Sequence, residues 1–413
     1  MPLPVGLRAL ANRDFRVYFA GNIVSQICMW MQTVTQSWLV LQLTHSPFLL
    51  GLIATLQFGP ILLFSVFAGI LADRLPKRSI LMFTQSVQCA LALTLGIVVW
   101  SGHARYWTVA LVAVMWGIMS SLDQPSRQSF IIELVGRQHL TSAVGLNSAS
   151  FNTARIIGPA VAGVLIARVG LFAAFILNAL AFLVSIFALT RVPGRPPAHR
   201  AGGVPILEEI AEGVAYVARM PAVRFLLGLQ VTVSFCVFNF SVYVPLFATR
   251  VLGLGSEGFG FLMTSLGVGA VAAGLSLGAI GSREPPVVLI ASALGVACSG
   301  LLLLSVTRSF WLAACFLAMI GLTGTFVNTG CNTSLQLMTP DALRGRIMSL
   351  YTLLSGGIFP LSALVVGSIS EAAGVSTAFA VNGVLGLAVL GLLSWSRQRR
   401  LRRHGSVSME SVP

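Results

Sequence analysis

The sequence contains few charged residues for a chain of its length. Only 9% of its 413 residues are charged, 26 of them basic and 12 acidic, whereas soluble domains contain about 25%. So few charges cannot cover a water-exposed surface of this size, and 56% of the residues are hydrophobic, with a mean hydropathy of +0.88. The composition excludes a soluble enzyme or binding domain and indicates an integral membrane protein whose surface mainly contacts lipid.

Recognisable chemical motifs are equally scarce. The six cysteines fall inside apolar runs with no C-x-x-C spacing, the five histidines are scattered, and no G-x-x-x-x-G-K-[ST] loop occurs. We therefore expect no enzyme activity, no cofactor, no metal site and no nucleotide. The basic residues are spread over seven loops and tails instead of being clustered with aromatic residues, so no nucleic-acid partner is expected either.

Long apolar runs, separated by turn residues and charges, are the main positive signal. A spanning helix needs about 20 apolar residues, and the sequence holds twelve such runs, which predicts an all-α protein of twelve transmembrane helices. The predicted spans are 15–42, 48–72, 79–100, 106–125, 142–167, 171–190, 223–248, 259–281, 287–305, 310–332, 347–369 and 376–396.

The distribution of basic residues predicts the orientation. With twelve spans, 21 of the 26 lysines and arginines fall on the side of the two termini, four fall on the other side, and Arg155 lies inside a span. Because basic loops stay in the cytoplasm, both termini are predicted to be cytoplasmic in a bacterial-type cytoplasmic membrane. The first run follows three arginines and has no small-residue cleavage site, so we interpret it as a retained helix.

The two halves of the chain resemble each other. Pro159 and Pro360 are separated by 201 residues, and the pairs Gly170/Gly374 and Asn178/Asn382 are each separated by 204. The repeat predicts two pseudo-symmetric six-helix bundles with a substrate cavity between them. Between them, a polar stretch contains apolar residues at helical spacing among glutamates, which is typical of an interfacial amphipathic helix. The predicted divisions are an N-terminal bundle at 1–190, a linker at 191–222, a C-terminal bundle at 223–396 and a basic cytoplasmic tail at 397–413.

A short polar motif follows the second span. It reads GILADRLPKR and contains a small residue for close helix approach, an acid at the end of the span and three basic donors. This motif resembles the cytoplasmic loop signature of the major facilitator superfamily, with Pro76 in place of the second glycine. The resemblance implies a gating role, in which the motif closes the cytoplasmic side in the outward-open state. The residues concerned are Gly69, Asp73, Arg74, Lys77 and Arg78.

A second motif lies in the fifth span. ARIIGPAVAG places Gly158, Pro159 and Gly163 on a helix that bends and admits close neighbours, and it is similar to the antiporter motif of exporting members of the superfamily. Stretches such as LDQPSRQSFIIELV and PDALRGRIMSLY are similar to the branch of enterobactin exporters and multidrug efflux carriers.

That resemblance implies the function and the partners. We expect a monomeric carrier, embedded in membrane lipid, that exports an amphipathic small molecule such as a drug or siderophore-like metabolite in exchange for protons. An importer or a lipid or lysolipid flippase on the same fold is the alternative. The scarcity of acids within the spans argues against a highly charged cationic substrate.

One buried charge needs a reason. An arginine at the centre of a spanning helix costs about 2.5–3.5 kcal/mol on insertion scales, so Arg155 is predicted to have a partner. Asp123, near the end of the fourth span, and Glu133 are the nearest acids. We expect an Arg155–Asp123 pair, either purely structural or titrating during transport.

The polar residues inside spans are candidates for the substrate cavity. Helix-to-helix hydrogen bonding is the simpler explanation for any one of them, although Gln32 and Gln36 share a helix face, as do Asn328 and Asn332. The candidates are Asn22, Gln26, Gln32, Gln36, Gln57, Asn239, Tyr243, Asn328 and Asn332.

Overall fold

The computed structural model describes residues 5–194, 206–280 and 285–407 of the chain. Within these ranges, Gly69 and the side chains of some other residues, including Asp73 and Arg74, are not described. The described ranges form fifteen α-helices, two short 3-10 helices and no strand. The α-helices are α1 Arg13–Thr44, α2 Pro47–Arg74, α3 Lys77–Trp100, α4 Tyr106–Val135, α5 Leu140–Arg168, α6 Leu171–Thr190, α7 Ile206–Arg219, α8 Pro221–Cys236, α9 Phe240–Arg250, α10 Ser256–Ile280, α11 Val287–Val306, α12 Phe310–Met338, α13 Asp341–Gly357, α14 Phe359–Ala373 and α15 Val375–Val407. The 3-10 helices are Val5–Ala11 and Arg137–His139.

Eleven segments are long and apolar enough to cross a membrane, and α8 with α9 and α13 with α14 each make one of them. The remaining long helix, α1, is more polar because it carries Asn22, Gln26, Gln32 and Gln36, and all four are buried inside the protein. Lipid therefore contacts mainly the apolar side chains of α1. The all-α fold with twelve predicted spans is confirmed.

Local sequence explains how the first two helices begin. The Asn12 side chain accepts hydrogen bonds from the backbone N–H groups of Asp14 and Phe15, at 2.9 and 3.2 Å, and so caps α1. Ser46 caps α2 in the same manner, and Pro47 occupies the first turn, where its missing N–H costs nothing. The chain consequently reverses over two residues.

Several helix bounds differ from the predicted spans. The seventh span is broken between α8 and α9 at Asn239. The eleventh is broken between α13 and α14 at Ile358, two residues before Pro360. The fourth span continues ten residues beyond 125, to Val135, and α15 continues through the first part of the predicted tail to Val407. Apolar periodicity could not locate these features because polar and basic residues can extend a helix beyond the lipid.

Helix packing repeats between the two halves. In the N-terminal half α4 packs against α2 and α3, and α6 packs against α3 and α1; in the C-terminal half α12 packs against α10 and α11, and α15 packs against α11 and α8. Gly170 and Gly374, which begin the last span of each half, both have positive φ, at 99° and 86°. Glycine suits these two reversals because a side chain would be strained there. The boundaries proposed for the two bundles and the linker stay predictions.

The two halves meet mainly through two helix pairs, α5 with α10 and α2 with α14, and α9 and α13 add smaller contacts with α1 and α2. We call the end of the bundle opposite the two termini the distal end. The polar contacts between described residues of the two halves are concentrated there: Arg168 pairs with Glu257 at 3.2 Å, and the Ser46 hydroxyl donates to Glu371 at 2.9 Å. The distal end is therefore closed.

Candidate functional site

A small chamber lies between the halves, below the closed distal end. Helices α1 and α2 form most of its wall, and α9 contributes one residue from the other half. Its lining residues are Thr33, Gln36, Ser37, Leu50, Ile53, Ala54, Gln57, Phe58 and Ser241.

The chamber wall is uncharged and combines polar with apolar side chains. Gln36 is only 2% exposed, and its Nε2 has no hydrogen-bond partner; the buried Ser241 hydroxyl also has none. Because a buried donor without a partner is costly, these groups are available to a ligand that brings its own acceptor. Phe58 adds an aromatic face and packs edge-on against Phe359 of the other half, with 4.7 Å between ring centroids. The wall suits the neutral part of an amphipathic molecule.

Two of the nine predicted cavity residues, Gln36 and Gln57, line this chamber. The structure places the other N-terminal candidates within one half. Gln26 donates to the Asn147 side chain at 3.2 Å, and Asn22 donates to the same oxygen at 3.1 Å. Asn178 donates to Gln32. These contacts join α1 to α5 and α6.

The four C-terminal candidates lie elsewhere as well. Asn239 donates to the Phe235 carbonyl and the Ser362 hydroxyl, at 2.9 and 2.7 Å, where α8 ends. Fully buried Tyr243 stacks on Phe379 with 4.5 Å between ring centroids. Asn328 accepts from the Tyr351 hydroxyl, and Asn332 accepts from Gln336 at 2.6 Å.

The predicted Arg155–Asp123 pair was wrong. Asp123, which is 6% exposed, instead pairs with Arg127 on its own helix: the guanidinium Nη2 lies 2.7 Å and Nε 3.0 Å from Oδ2. The other carboxylate oxygen accepts from the Thr84 hydroxyl at 3.0 Å, and Arg127 also donates to Asn22. Since α4 continues to Val135, Arg127 lies one turn after Asp123 and not in a loop.

This arrangement, which we call the acid–arginine cluster, comprises Asp123, Arg127, Thr84, Asn22 and Asn147. It links α1, α3, α4 and α5 inside the N-terminal half. Every formal charge in it is paired and hydrogen-bonded, which satisfies the requirement for buried ions. Sequence reasoning missed Arg127 because it placed the end of the span too early; the four-residue spacing from Asp123 was the available signal.

Arg155 takes a different partner. It lies at the middle of α5, with its guanidinium carbon 5.5 Å from the centroid of the Trp30 ring. Its Nε is buried without a hydrogen-bond acceptor, and among the described residues no acidic side chain pairs with it.

The loop motif is only partly described. The side chains of Gly69, Asp73 and Arg74 lie outside the described residues. Arg78 donates to the carbonyls of Leu189 and Thr190, at 2.8 and 3.2 Å. Those carbonyls end α6, where a cation is favoured by the helix dipole. The buried Lys77 ammonium lies 3.4 Å from the Leu75 carbonyl.

The glycines of the predicted antiporter-like motif serve two interfaces. A Cβ on Gly158 would lie 2.6 Å from the Cβ of Trp30 on α1, and a Cβ on Gly163 would lie 2.9 Å from the Cα of Gly260 on α10. Gly163 and Gly260 therefore set the distance between the two halves near the distal end. Pro159 follows Gly158 directly, and its carbonyl faces Gly260.

Comparison with known sequences gives a consistent result. A family model described as "Transmembrane secretion effector" matches residues 5–412. The staphyloferrin A transporter of Staphylococcus aureus is 24% identical over 89% of this chain and 92% of its own length. The enterobactin exporter EntS of Escherichia coli is 24% identical over 92% and 90%, and the multidrug efflux pump Tap of Mycobacterium tuberculosis is 23% identical over 83% of each chain.

Solved structures share the fold. A bacterial homolog of the human lysosomal transporter Spinster superposes with a TM-score of 0.70 at 15% identity and covers 92% of this chain and 95% of its own. A POT family transporter in complex with 5-aminolevulinic acid gives a TM-score of 0.72 at 12% identity, over 92% and 95%.

Proposed function

The chain belongs to the transmembrane secretion effector family of the major facilitator superfamily, and we propose that this transporter exports an amphipathic small molecule by alternating access, in exchange for protons. The observation that carries the proposal is the family match over residues 5–412, on a fold whose two halves meet at a closed distal end. A carrier needs a binding site that both halves build, because their rocking then exposes the site to one side at a time.

Several features support export as the direction. Two relatives are named as an exporter and an efflux pump. The split of basic residues supports an orientation with the termini in the cytoplasm and the distal end outside. In that orientation the described conformation is closed to the outside, which is the state that loads a molecule from the cytoplasm of a cell bounded by this membrane.

The substrate class follows from the chamber and the relatives. Amide and hydroxyl groups at Gln36, Gln57 and Ser241, beside Phe58, suit a molecule with hydrogen-bond acceptors and apolar surface. Relatives named for staphyloferrin A, for enterobactin and for multidrug efflux are consistent with a siderophore-like metabolite or a drug.

Proton coupling is assigned to Asp123. This carboxylate is a buried acid within the described spans, and its partner Arg127 also contacts Asn22 on α1. A change at Asp123 can therefore be transmitted to α1, which also lines the chamber.

Efflux profiling tests the proposal directly. The full-length chain is expressed in a host lacking its own efflux pumps, and accumulation of a broad compound panel is followed with and without a protonophore. We expect lower accumulation of at least one amphipathic compound, with the difference abolished by the protonophore. Uptake in place of efflux would contradict export, and no change for any compound would contradict transport of this class.

Coupling is tested in proteoliposomes with an imposed pH gradient, using the compound found by the panel. Asp123→Asn is expected to abolish the response to the gradient while exchange without a gradient persists. Glu212→Gln, at an exposed acid in the linker helix α7, is the matched control and should behave as wild type. If Asp123→Asn keeps full gradient-driven efflux, Asp123 is not the coupling group.

Orientation is tested by labelling single cysteines in a variant without the native ones. Ser101 lies at the distal end and Ser396 near the end of α15, and both are exposed. A membrane-impermeant maleimide should label Ser101→Cys in intact cells and Ser396→Cys only after permeabilisation. The reverse pattern would overturn the orientation and the export direction built on it.

A further inference from the structure

The position of Arg155 identifies a second feature of the transport path. Arg155 lies halfway along α5, partly buried, and its backbone carbonyl faces Gly267 of α10 in the other half; a Cβ on Gly267 would be 2.7 Å from that oxygen. Helices α5 and α10 form one of the two largest contacts between the halves. Arg155 therefore lies on a helix whose contact with the other half must rearrange when the halves rock.

The electrostatic environment of Arg155 is incomplete. A cation at mid-membrane depth is costly, and such residues normally pair with an acid. Asp123 is already occupied by Arg127, and the described ion pairs of Glu212 and Glu257 are made with other arginines. The ring of Trp30, 5.5 Å away, supplies only a cation–π contact, of about 0.5–2 kcal/mol.

Two buried hydrogen-bond donors at this position have no acceptor. The Nε of Arg155 and the indole Nε1 of Trp30 are both buried donors without an acceptor. Two buried donors, one of them charged, next to an aromatic face would be satisfied by a ligand that carries a negatively charged oxygen and a flat apolar body. Phe151, whose ring centroid lies 5.6 Å from that of Trp30, extends the aromatic surface.

The same helix face connects this feature to the chamber. Trp30, Thr33 and Ser37 follow a spacing of three and four residues on α1, so they lie along one face. Seven residues of helix separate Trp30 from Ser37 by about 10 Å. An elongated molecule could place its charged group at Arg155 and its neutral polar part in the chamber.

We propose that Arg155 and Trp30 form an anion-binding subsite, and that the exported molecules carry a carboxylate or another anionic oxygen group next to an aromatic or apolar body. This inference rests on the proposed transport function and specifies its substrate class. The anion can belong to a free organic acid or to the headgroup of an anionic lipid, since both present the same chemistry to Arg155.

Three probes with one ring system test the charge preference: 2-naphthoate, 2-naphthamide and 2-naphthylmethylammonium, with charges of −1, 0 and +1. Their binding to the purified full-length protein is measured in phosphatidylcholine nanodiscs. We expect wild type to prefer naphthoate over naphthamide by about 10-fold or more, the contribution of a charge-assisted hydrogen bond. Equal binding of the three probes, or no binding of naphthoate, would overturn the subsite.

Variants assign the preference to the residues. Arg155→Gln should remove the preference for naphthoate, Arg155→Lys should keep part of it, and Trp30→Phe should weaken all three probes. Arg308→Gln, at an exposed arginine whose guanidinium donates to the Ser305 and Thr307 carbonyls, is the matched control and should bind as wild type. If Arg155→Gln is monodisperse and retains the preference, the subsite is wrong; if it does not fold, Arg155→Lys and Trp30→Phe decide, and the subsite is wrong if both bind as wild type.

Two further measurements separate the sources and the hypotheses. Repeating the binding in nanodiscs with phosphatidylglycerol shows whether a lipid headgroup competes for the subsite; unchanged naphthoate affinity identifies a free organic acid. If wild type exports compounds from the panel without any preference for anions, the subsite fails and export stands. If naphthoate binding depends on Arg155 but no compound is exported, the subsite stands and the proposed function fails.

Discussion

The two halves of this transporter share a helix arrangement but differ in how they use polarity. The N-terminal half contains the acid–arginine cluster and Arg155 within its spans, together with buried amides on α1. Among described residues of the C-terminal half, ion pairs lie at helix ends, and the interior is held by contacts such as the stacking of Tyr243 on Phe379. The C-terminal half instead has two spans interrupted by breaks, at Asn239 and Ile358.

This difference assigns separate tasks to the halves. A charge buried inside a span is costly and marks a candidate functional group, so the N-terminal half is suited to interact with substrate. A broken span can bend at a fixed point, so the C-terminal half is suited to follow the movement.

The largest expected effect comes from breaking the acid–arginine cluster. Arg127→Ala leaves the Asp123 carboxylate buried without its partner, which costs about 3–5 kcal/mol, and we expect a near-complete loss of monodisperse protein in size-exclusion chromatography. Arg346→Ala, in the C-terminal half, removes an ion pair with the exposed Glu212 of the linker and should cost about 0–1 kcal/mol of stability. Equal losses for both variants would contradict the contrast between the halves.

Next is the contact through which the halves close. Gly260→Leu places a side chain against Gly163, where even a Cβ would lie 2.7 Å from a backbone carbon, so the distal end cannot close. We expect folded protein whose export falls about 10-fold or more, corresponding to about 1.4 kcal/mol or more. Gly274→Leu, on the same helix with open space around it, is the control. Wild-type export by Gly260→Leu would show that this contact does not limit the cycle.

A smaller effect is expected at the break in the seventh span. Asn239→Ala removes hydrogen bonds to the Phe235 carbonyl and the Ser362 hydroxyl, and we expect a loss of about 1–3 kcal/mol in stability. Thermal unfolding in detergent measures it. Ser362→Ala also removes two hydrogen bonds, the one from Asn239 and the one to the Phe235 carbonyl, and should cost a similar amount. No shift in the unfolding temperature of Asn239→Ala would mean that the amide does not stabilise the break.

The smallest effect is expected at a neutral contact of the C-terminal half. Tyr351→Phe removes one hydroxyl that donates to Asn328, with an expected cost of about 1 kcal/mol. The same unfolding assay measures it, with Thr352→Val, at an exposed position on the same helix, as control. A loss as large as that of Arg127→Ala would remove the distinction between charged and neutral interiors.

Much of the fold was predictable from local pattern. Apolar runs located the spans, because each must bury its backbone polar groups in a helix of membrane length. The glycine pair at 170 and 374 was found as a repeat, and both residues have the left-handed conformation that requires glycine. The two breaks were not predictable, since the broken spans are as apolar as the continuous ones.

The site was predictable only in part. Gln36 and Gln57 were identified as polar residues inside spans, and both line the chamber. Thr33 and Ser37 were missed, although Thr33 lies three residues before Gln36 and four before Ser37 on the same helix. Ser241 was missed because nothing in the sequence predicts contact between α9 and α1. Partner choice failed at Asp123, where a helix longer than the apolar run placed Arg127 within reach.

By itself, the sequence determined the lipid environment, the number of spans and the two-fold repeat, because each depends on composition and on spacing along one chain. Only the tertiary structure decided which buried charges are paired, because pairing depends on distances between helices. Because the chain has few charges, only a few buried residues are concerned: Asp123 pairs with Arg127, and Arg155 contacts the face of the Trp30 ring.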